Sequence, residues 1–204
     1  MYYILATLEF EPGGSEVAAD DVATAAGDAG SSSGVLQGCW TCDIGSLNRI
    51  VILKSFDSQL ELGAERDRMI KSENPFSCGG RVTRLSVEPF RRFPSLPQTT
   101  QDLQGPVYEL RTYAVKPGQL CDLMKIWEQA LPERVRMSPL VVAMYSLGGP
   151  LRIAHLWCYR SLNERSAIRA EAEARGVWPP KKRGQVTSDM KTEILMPTRL
   201  SPLQ

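Results

Sequence analysis

The chain has 204 residues, 43% of them apolar and 23% charged, with a formal net charge of +1. This is the composition of an ordinary globular protein, and its near-neutral balance supplies no basic field for nucleic acid or an anionic membrane. No apolar run approaches the roughly 18 residues of a membrane helix.

The opening MYYILATLEFEP enters a strand pattern at once, without a basic n-region or an Arg-rich presequence, so a cytoplasmic protein is expected. That first strand ends in Pro12-Gly13, and the ending returns later in the chain. Tyr3, Leu5, Thr7, Pro12 and Gly13 correspond to Tyr108, Leu110, Thr112, Pro117 and Gly118 at one constant offset. Gly45, Arg49, Ile50, Leu53 and Ser58 correspond to Gly148, Arg152, Ile153, Leu156 and Ser161 at a slightly shorter one. Two blocks in register identify an internal duplication. It divides the chain into residues 1–93, a proline-rich connector over 94–106, and residues 107–204.

In the first copy, Cys39-Trp-Thr-Cys42 matches C-x-x-C but falls inside a predicted strand. Redox pairs sit at helix N-termini, where the dipole stabilises a thiolate, and residues three apart on a strand point to opposite faces. Buried, reduced thiols are therefore expected. Ser58-Gln-Leu-Glu61 is a capping box that opens a helix, and Val82–Phe90 closes the copy as a strand. Ser31-Ser-Ser-Gly34 is a loose turn.

The second copy starts with a strand over Val107–Lys116. A helix follows from Gln119 to about Met137, its stripe formed by Leu120, Leu123, Met124, Trp127, Ala130 and Leu131. Pro132 is expected to kink or shorten it. Strands are predicted at Leu140–Tyr145 and Leu151–Tyr159, a second capped helix from Ser161-Leu-Asn-Glu164, and a closing strand near Lys191–Met196. Arg165, Arg169, Glu171, Glu173 and Arg175 read as a solvated helix face, and Pro179-Pro-Lys-Lys-Arg183 as a basic surface loop.

The order strand, helix, strand, strand, helix, strand is the ferredoxin-like motif, with two helices on one face of an antiparallel sheet. Its other face must be covered, and two copies can cover each other. The expected class is α+β: two tandem ferredoxin-like units packed sheet to sheet as an intrachain α/β barrel. In such a sheet the first and third strands are central neighbours.

On those strands the copies differ. Glu109, Arg111 and Tyr113 stand where the first copy has Ile4, Ala6 and Leu8. His155, Trp157 and Tyr159 stand where it has Ile52, Lys54 and Phe56. Charge on central strands is expensive unless paired, so this exchanged face is the candidate site.

The residues Tyr108-Glu-Leu-Arg-Thr-Tyr113, Lys116-Pro-Gly118, Trp127, His155-Leu-Trp-Cys-Tyr-Arg-Ser-Leu162 and Leu200-Ser-Pro-Leu203 resemble the NIPSNAP family pattern. The resemblance spans the second copy; the first keeps only the skeleton, as a degenerate sister domain. It implies the dimeric α/β-barrel superfamily, whose members include cofactor-independent monooxygenases, haem-degrading enzymes, dehydratases, isomerases and binding proteins. Leu200 departs from the family's usual phenylalanine, and Gly148-Gly-Pro-Leu-Arg152 from its usual hairpin turn.

Three functional readings follow. In the first, a pocket of the second copy binds or transforms a small, partly aromatic or acidic metabolite without a cofactor. Tyr113, Trp127, Trp157 and Tyr159 form its walls, Arg111 fixes a carboxylate or enolate, and His155 or Glu109 serves as general acid or base. No nucleotide-binding loop is visible, and one histidine cannot build a histidine-rich metal site. In the second, the copy is a non-catalytic structural or interaction protein whose charged face is a packed ion-pair network. In the third, His155 is an axial haem ligand. The fold leaves association into a homodimer open.

Overall fold

Alternating apolar residues in short segments, broken by Pro-Gly and Gly-rich turns, give eight strands and four α-helices among the described residues. The computed structural model describes residues 1–28, 33–94, 105–180 and 186–204. The elements are β1 (Tyr2–Phe10), α1 (Gly14–Gly27), β2 (Val35–Ile44), β3 (Arg49–Phe56), α2 (Gln59–Lys71) and β4 (Val82–Arg92). They are followed by β5 (Val107–Val115), α3 (Leu120–Val135), β6 (Leu140–Ser146), β7 (Arg152–Tyr159), α4 (Leu162–Ala174) and β8 (Thr187–Pro197). Most of the 94–106 connector, the first half of the Ser31–Gly34 turn and the basic residues of the 179–183 run lie outside the described residues.

The chain divides into two compact units, Met1–Arg91 with Glu193–Gln204, and Arg92–Thr192. Each contains the order β-α-β-β-α-β expected of a ferredoxin-like fold. The first unit has the strand order β4-β1-β3-β2. In the second, β5 and β7 are neighbours, with β6 on the far side of β7. First and third strands are thus central in both.

Sequence fixes the corners. Both Pro-Gly turns place their glycine at positive φ, 79° at Gly13 and 77° at Gly118, a conformation glycine adopts without a Cβ penalty. Ser58 Oγ accepts from Glu61 N and Ser161 Oγ from Glu164 N, both at 3.1 Å, so both caps form as the sequence predicts. The returning carboxylate of Glu164 lands one residue earlier than the motif implies, accepting from Arg160 N at 2.6 Å. Helix α3 runs on past Pro132 but ends at Val135, short of Met137.

The first unit's core joins Ile4, Ala6 and Leu8 of β1 and Ile52 and Phe56 of β3 to Val22 of α1 and Leu62 of α2. Burying each large aliphatic or aromatic side chain is worth about 1.5–3 kcal/mol. Beside this core Lys54 Nζ lies 3.2 Å from the enclosed Glu65 Oε1, which Arg68 also reaches at 2.8 Å, and Arg49 Nη2 lies 2.8 Å from Glu193 Oε2. The C-terminal part of β8 lines the edge of β2, pairing Thr41 with Met196 and Cys42 with Leu195. Beyond it, Ser201 Oγ accepts from Cys39 N and donates to Leu203 O, giving the Ser-Pro of the tail a definite structural task.

Cys39 and Cys42 are both buried on β2 and unbridged. Burial pushes the Cys39 thiol up to about 12, far from the thiolate a redox site needs. Among the described residues no helix is long and apolar enough to cross a membrane.

Because each serine cap satisfies one exposed backbone donor, Ser58→Ala and Ser161→Ala should each lower stability by ~1 kcal/mol. Urea titration of the two variants and their double mutant checks this, with near-additive losses expected for caps on different helices.

Candidate functional site

The antiparallel register of β5 and β7 sets Arg111 opposite His155 and Glu109 opposite Trp157, with Val107 opposite Tyr159. Directly paired residues project to the same side of a sheet. The two polar-aromatic rows therefore share one face, as their alternation predicts. Helices α3 and α4 cover it: Trp127 of α3 stands 4.7 Å from the His155 ring, and Arg165 of α4 bonds Glu109.

Glu109 and His155 have no solvent exposure, and Trp157, Tyr159, Tyr113 and Trp127 are buried with them. Glu109 Oε1 receives Arg111 Nη1 at 2.7 Å and Arg165 Nη2 at 2.5 Å, and Arg169 Nη1 lies 3.7 Å away. Its Oε2 accepts from the Tyr159 hydroxyl at 3.3 Å. Burial pushes the Glu109 carboxyl up, but the guanidinium groups of Arg111, Arg165 and Arg169 together hold it below the usual carboxylate range. Burial raises the Tyr159 phenol, and Glu109 adds to that shift; this hydroxyl stays protonated as the donor Glu109 requires.

A fourth arginine supports the Tyr159 hydroxyl from α3. Arg134 is buried, donating to Tyr159 Oη at 3.1 Å and Ser138 Oγ at 2.6 Å, with its guanidinium carbon 4.2 Å from the centre of the Trp157 ring. Stacking on an aromatic face suits the planar, weakly hydrated guanidinium. Trp157 Nε1, which can only donate, points at His155 Nδ1 at 2.7 Å. That nitrogen is therefore the acceptor of a neutral imidazole, and the proton sits on Nε2. Tyr113 meets the His155 ring edge-on at 5.0 Å, and Trp178 meets Trp127 and Trp157 at 4.9 and 5.7 Å. Phe93 completes the aromatic set 5.6 Å from Trp127.

All seven candidates, Glu109, Arg111, Tyr113, Trp127, His155, Trp157 and Tyr159, thus lie in this one cluster. The expected solvated face of α4 needs correction: Arg165 and Arg169 turn inward to Glu109, their side chains 21% and 35% exposed. The reason is visible in the aligned helix caps. Four residues after its capping serine, α2 carries Leu62 of the first core, and α4 carries Arg165. That exchange, paired with Ile4 becoming Glu109, was the available signal. Arg134 continues the Trp127–Leu131 stripe at helical spacing, so its burial was also legible. Trp178 and Phe93 lie outside any periodic segment and offered no such cue.

Residues 108–202 match the family model described as NIPSNAP. The "Protein NipSnap homolog" of Dictyostelium discoideum is 30% identical over 149 residues, which make up 69% of this chain and 64% of that protein. The chain thus spans less than two thirds of this relative's length. Among solved structures, a putative monooxygenase from Lactobacillus acidophilus NCFM has a TM-score of 0.67, covering 97% of this chain and 93% of the other at 11% identity. An anthrone oxidase-like protein has a TM-score of 0.64, covering 96% and 90% at 9% identity. At these identities the likeness shows the fold: a mixed α+β architecture shared with monooxygenase-like proteins.

Removing the Glu109 charge leaves enclosed guanidinium groups uncompensated, so Glu109→Gln should cost about 3–5 kcal/mol in urea unfolding near neutral pH. Because the carboxyl is held below its ordinary range, this contribution is complete above that range and is lost as pH falls through the lower folded-state value. The gap between wild type and variant should therefore close on acidification. A gap that does not change with pH would contradict an ionised Glu109.

Proposed function

We propose that the second unit, the part of the chain that matches the NIPSNAP family model, binds a small, partly aromatic, anionic metabolite on the helix-facing side of β5 and β7. The observation that carries this reading is the charge balance: Arg111, Arg165 and Arg169 surround the single carboxylate of Glu109. The equivalent strand–helix positions of the first unit hold the apolar Ile4 and Leu62. A ferredoxin-like unit packs well with an apolar pair there, and a buried ion pair of similar volume is often the less stable choice. An anionic ligand gives the exchange a purpose.

Each side chain has a role in this reading. Arg111 supplies the fixed charge for a carboxylate or enolate oxygen. Tyr113, Trp127, Trp157 and Tyr159 supply the aromatic walls. His155, neutral with its proton on Nε2, offers that N–H as a hydrogen-bond donor to charge developing on a ligand oxygen. Glu109 is held too acidic to be an effective general base near neutral pH and instead orders the arginines. These side chains then supply charge stabilisation to the oxygen of a bound phenol or enol. An axial haem role for His155 would require displacing the rings of Tyr113, Trp127 and Trp157 that enclose it. The competing reading is a purely structural ion-pair network, favoured by the complete burial of Glu109 and His155.

A thermal-shift screen of aromatic acids and phenols separates the two. At ligand concentrations about 100 times Kd, stabilisation is ~2.7 kcal/mol, or roughly 5–10 °C for a chain of this size. Arg111→Lys and His155→Gln should each reduce that shift while leaving the unliganded protein folded. Undiminished shifts in both variants would falsify the site, and no shift with any member of the panel supports the structural reading. Oxygen uptake and product analysis on the compounds that bind distinguish a catalyst from a binding protein.

A further inference from the structure

We infer that the anionic group recognised by this site is a phosphate monoester, held as a dianion by Arg111, Arg165 and Arg169. The inference rests on the ligand-binding reading above and specifies its substrate class. The three guanidinium groups do not line an extended groove; they converge on a single atom. Arg111 Nη1, Arg165 Nη2 and Arg169 Nη1 lie 2.7, 2.5 and 3.7 Å from the same Glu109 Oε1. Their charges are therefore gathered within the span of one compact oxyanion. Glu109 offsets one of the three, and the charge of two guanidinium groups is left over.

Donor capacity remains as well. Arg165 Nε is buried without a hydrogen-bond partner among the described residues, and a buried unsatisfied donor in a native protein calls for an explanation. At 3.7 Å, Arg169 is an ion-pair neighbour of Glu109 beyond hydrogen-bond distance. Arg111 spends its Nε on the Tyr113 hydroxyl. Exposure of the three side chains rises from 11% at Arg111 through 21% at Arg165 to 35% at Arg169, while Glu109 is sealed. The uncompensated charge thus faces solvent along α4, where Arg165 and Arg169 stand one turn apart on the same helix face.

A carboxylate monoanion would leave part of this charge unbalanced. A phosphate monoester carries about −1.5 to −2 near neutral pH, with three strong acceptor oxygens in a small sphere. Guanidinium forks match that geometry. The aromatic residues beside the arginines suit an aryl ester.

The test compares phenyl phosphate with phenyl sulfate, which has nearly the same shape and one fewer charge, and with inorganic phosphate. Binding is read from tryptophan fluorescence, since Trp127, Trp157 and Trp178 cluster at the site. At about pH 7.5 phenyl phosphate should bind about tenfold more tightly than phenyl sulfate, and near pH 5, below its second ionisation near 6, the ratio should collapse towards one. The titratable groups facing the site are Glu109, Tyr113, His155 and Tyr159, beside the permanently charged Arg111, Arg134, Arg165 and Arg169. Any change in their charge acts on both esters and is read from the sulfate. Arg169→Gln, at the most exposed of the three arginines, should weaken both esters, phenyl phosphate the more, and bring the ratio at pH 7.5 to about two- or threefold.

Equal affinity for the two esters at pH 7.5 overturns the dianion inference while leaving the broader ligand reading standing. Inorganic phosphate binding as tightly as phenyl phosphate overturns the assignment to an aryl ester. Failure of both esters, together with every aromatic acid in the thermal-shift panel, overturns this inference and the ligand reading alike.

Discussion

The sealed carboxylate of Glu109 is the constraint on which the second unit depends. A bare carboxylate on a central strand would carry a desolvation cost of several kcal/mol, so its neighbours must come to it. Arg111 does so from two residues along the same strand, and Arg165 from the helix above. The Tyr159 hydroxyl occupies the other oxygen and is itself held by Arg134. Arg134 in turn covers Trp157, whose indole proton sets the tautomer of His155. One buried charge thus organises two helices, two strands and the protonation state of the chain's single histidine.

The first unit shows what the same architecture does without that demand. Its corresponding strand residues Ile4, Ala6 and Leu8 enter an ordinary apolar core with Leu62 of α2. Its strand–helix ion pair runs with the opposite polarity: Lys54 comes from the strand, and Glu65, from the helix, is also reached by Arg68. There one carboxylate meets two cations, and Lys54 is sealed from solvent. In the second unit three guanidinium groups meet one carboxylate, and the surplus reaches the surface along α4. The difference lies in how the charges are counted and where they open, since both units close their corners with the same serine caps and the same left-handed Pro-Gly turns.

Much of this is legible in the sequence. Strand alternation placed Glu109 and Arg111 on one face with His155 and Trp157, and the ferredoxin-like order made their strands neighbours. The caps at Ser58 and Ser161 are local chemistry and form as written. Charge on a helix surface is commonly solvated, so the sequence points Arg165 and Arg169 outward, and only the pairing of Glu109 with α4 turns them inward. The helix end at Val135 likewise depends on how α3 meets the sheet.

By itself the sequence indicated the ferredoxin-like unit, the order of its elements and the face on which the two units differ. These follow from periodicity, capping and turn chemistry, which act over a few residues. Only the tertiary structure decided that three guanidinium groups meet at one oxygen, that Arg134 lies on Trp157, and that Trp178 closes the aromatic set. Those contacts join residues far apart in the chain. Their distances are set by the packing of helices on the sheet, and no local pattern encodes that packing.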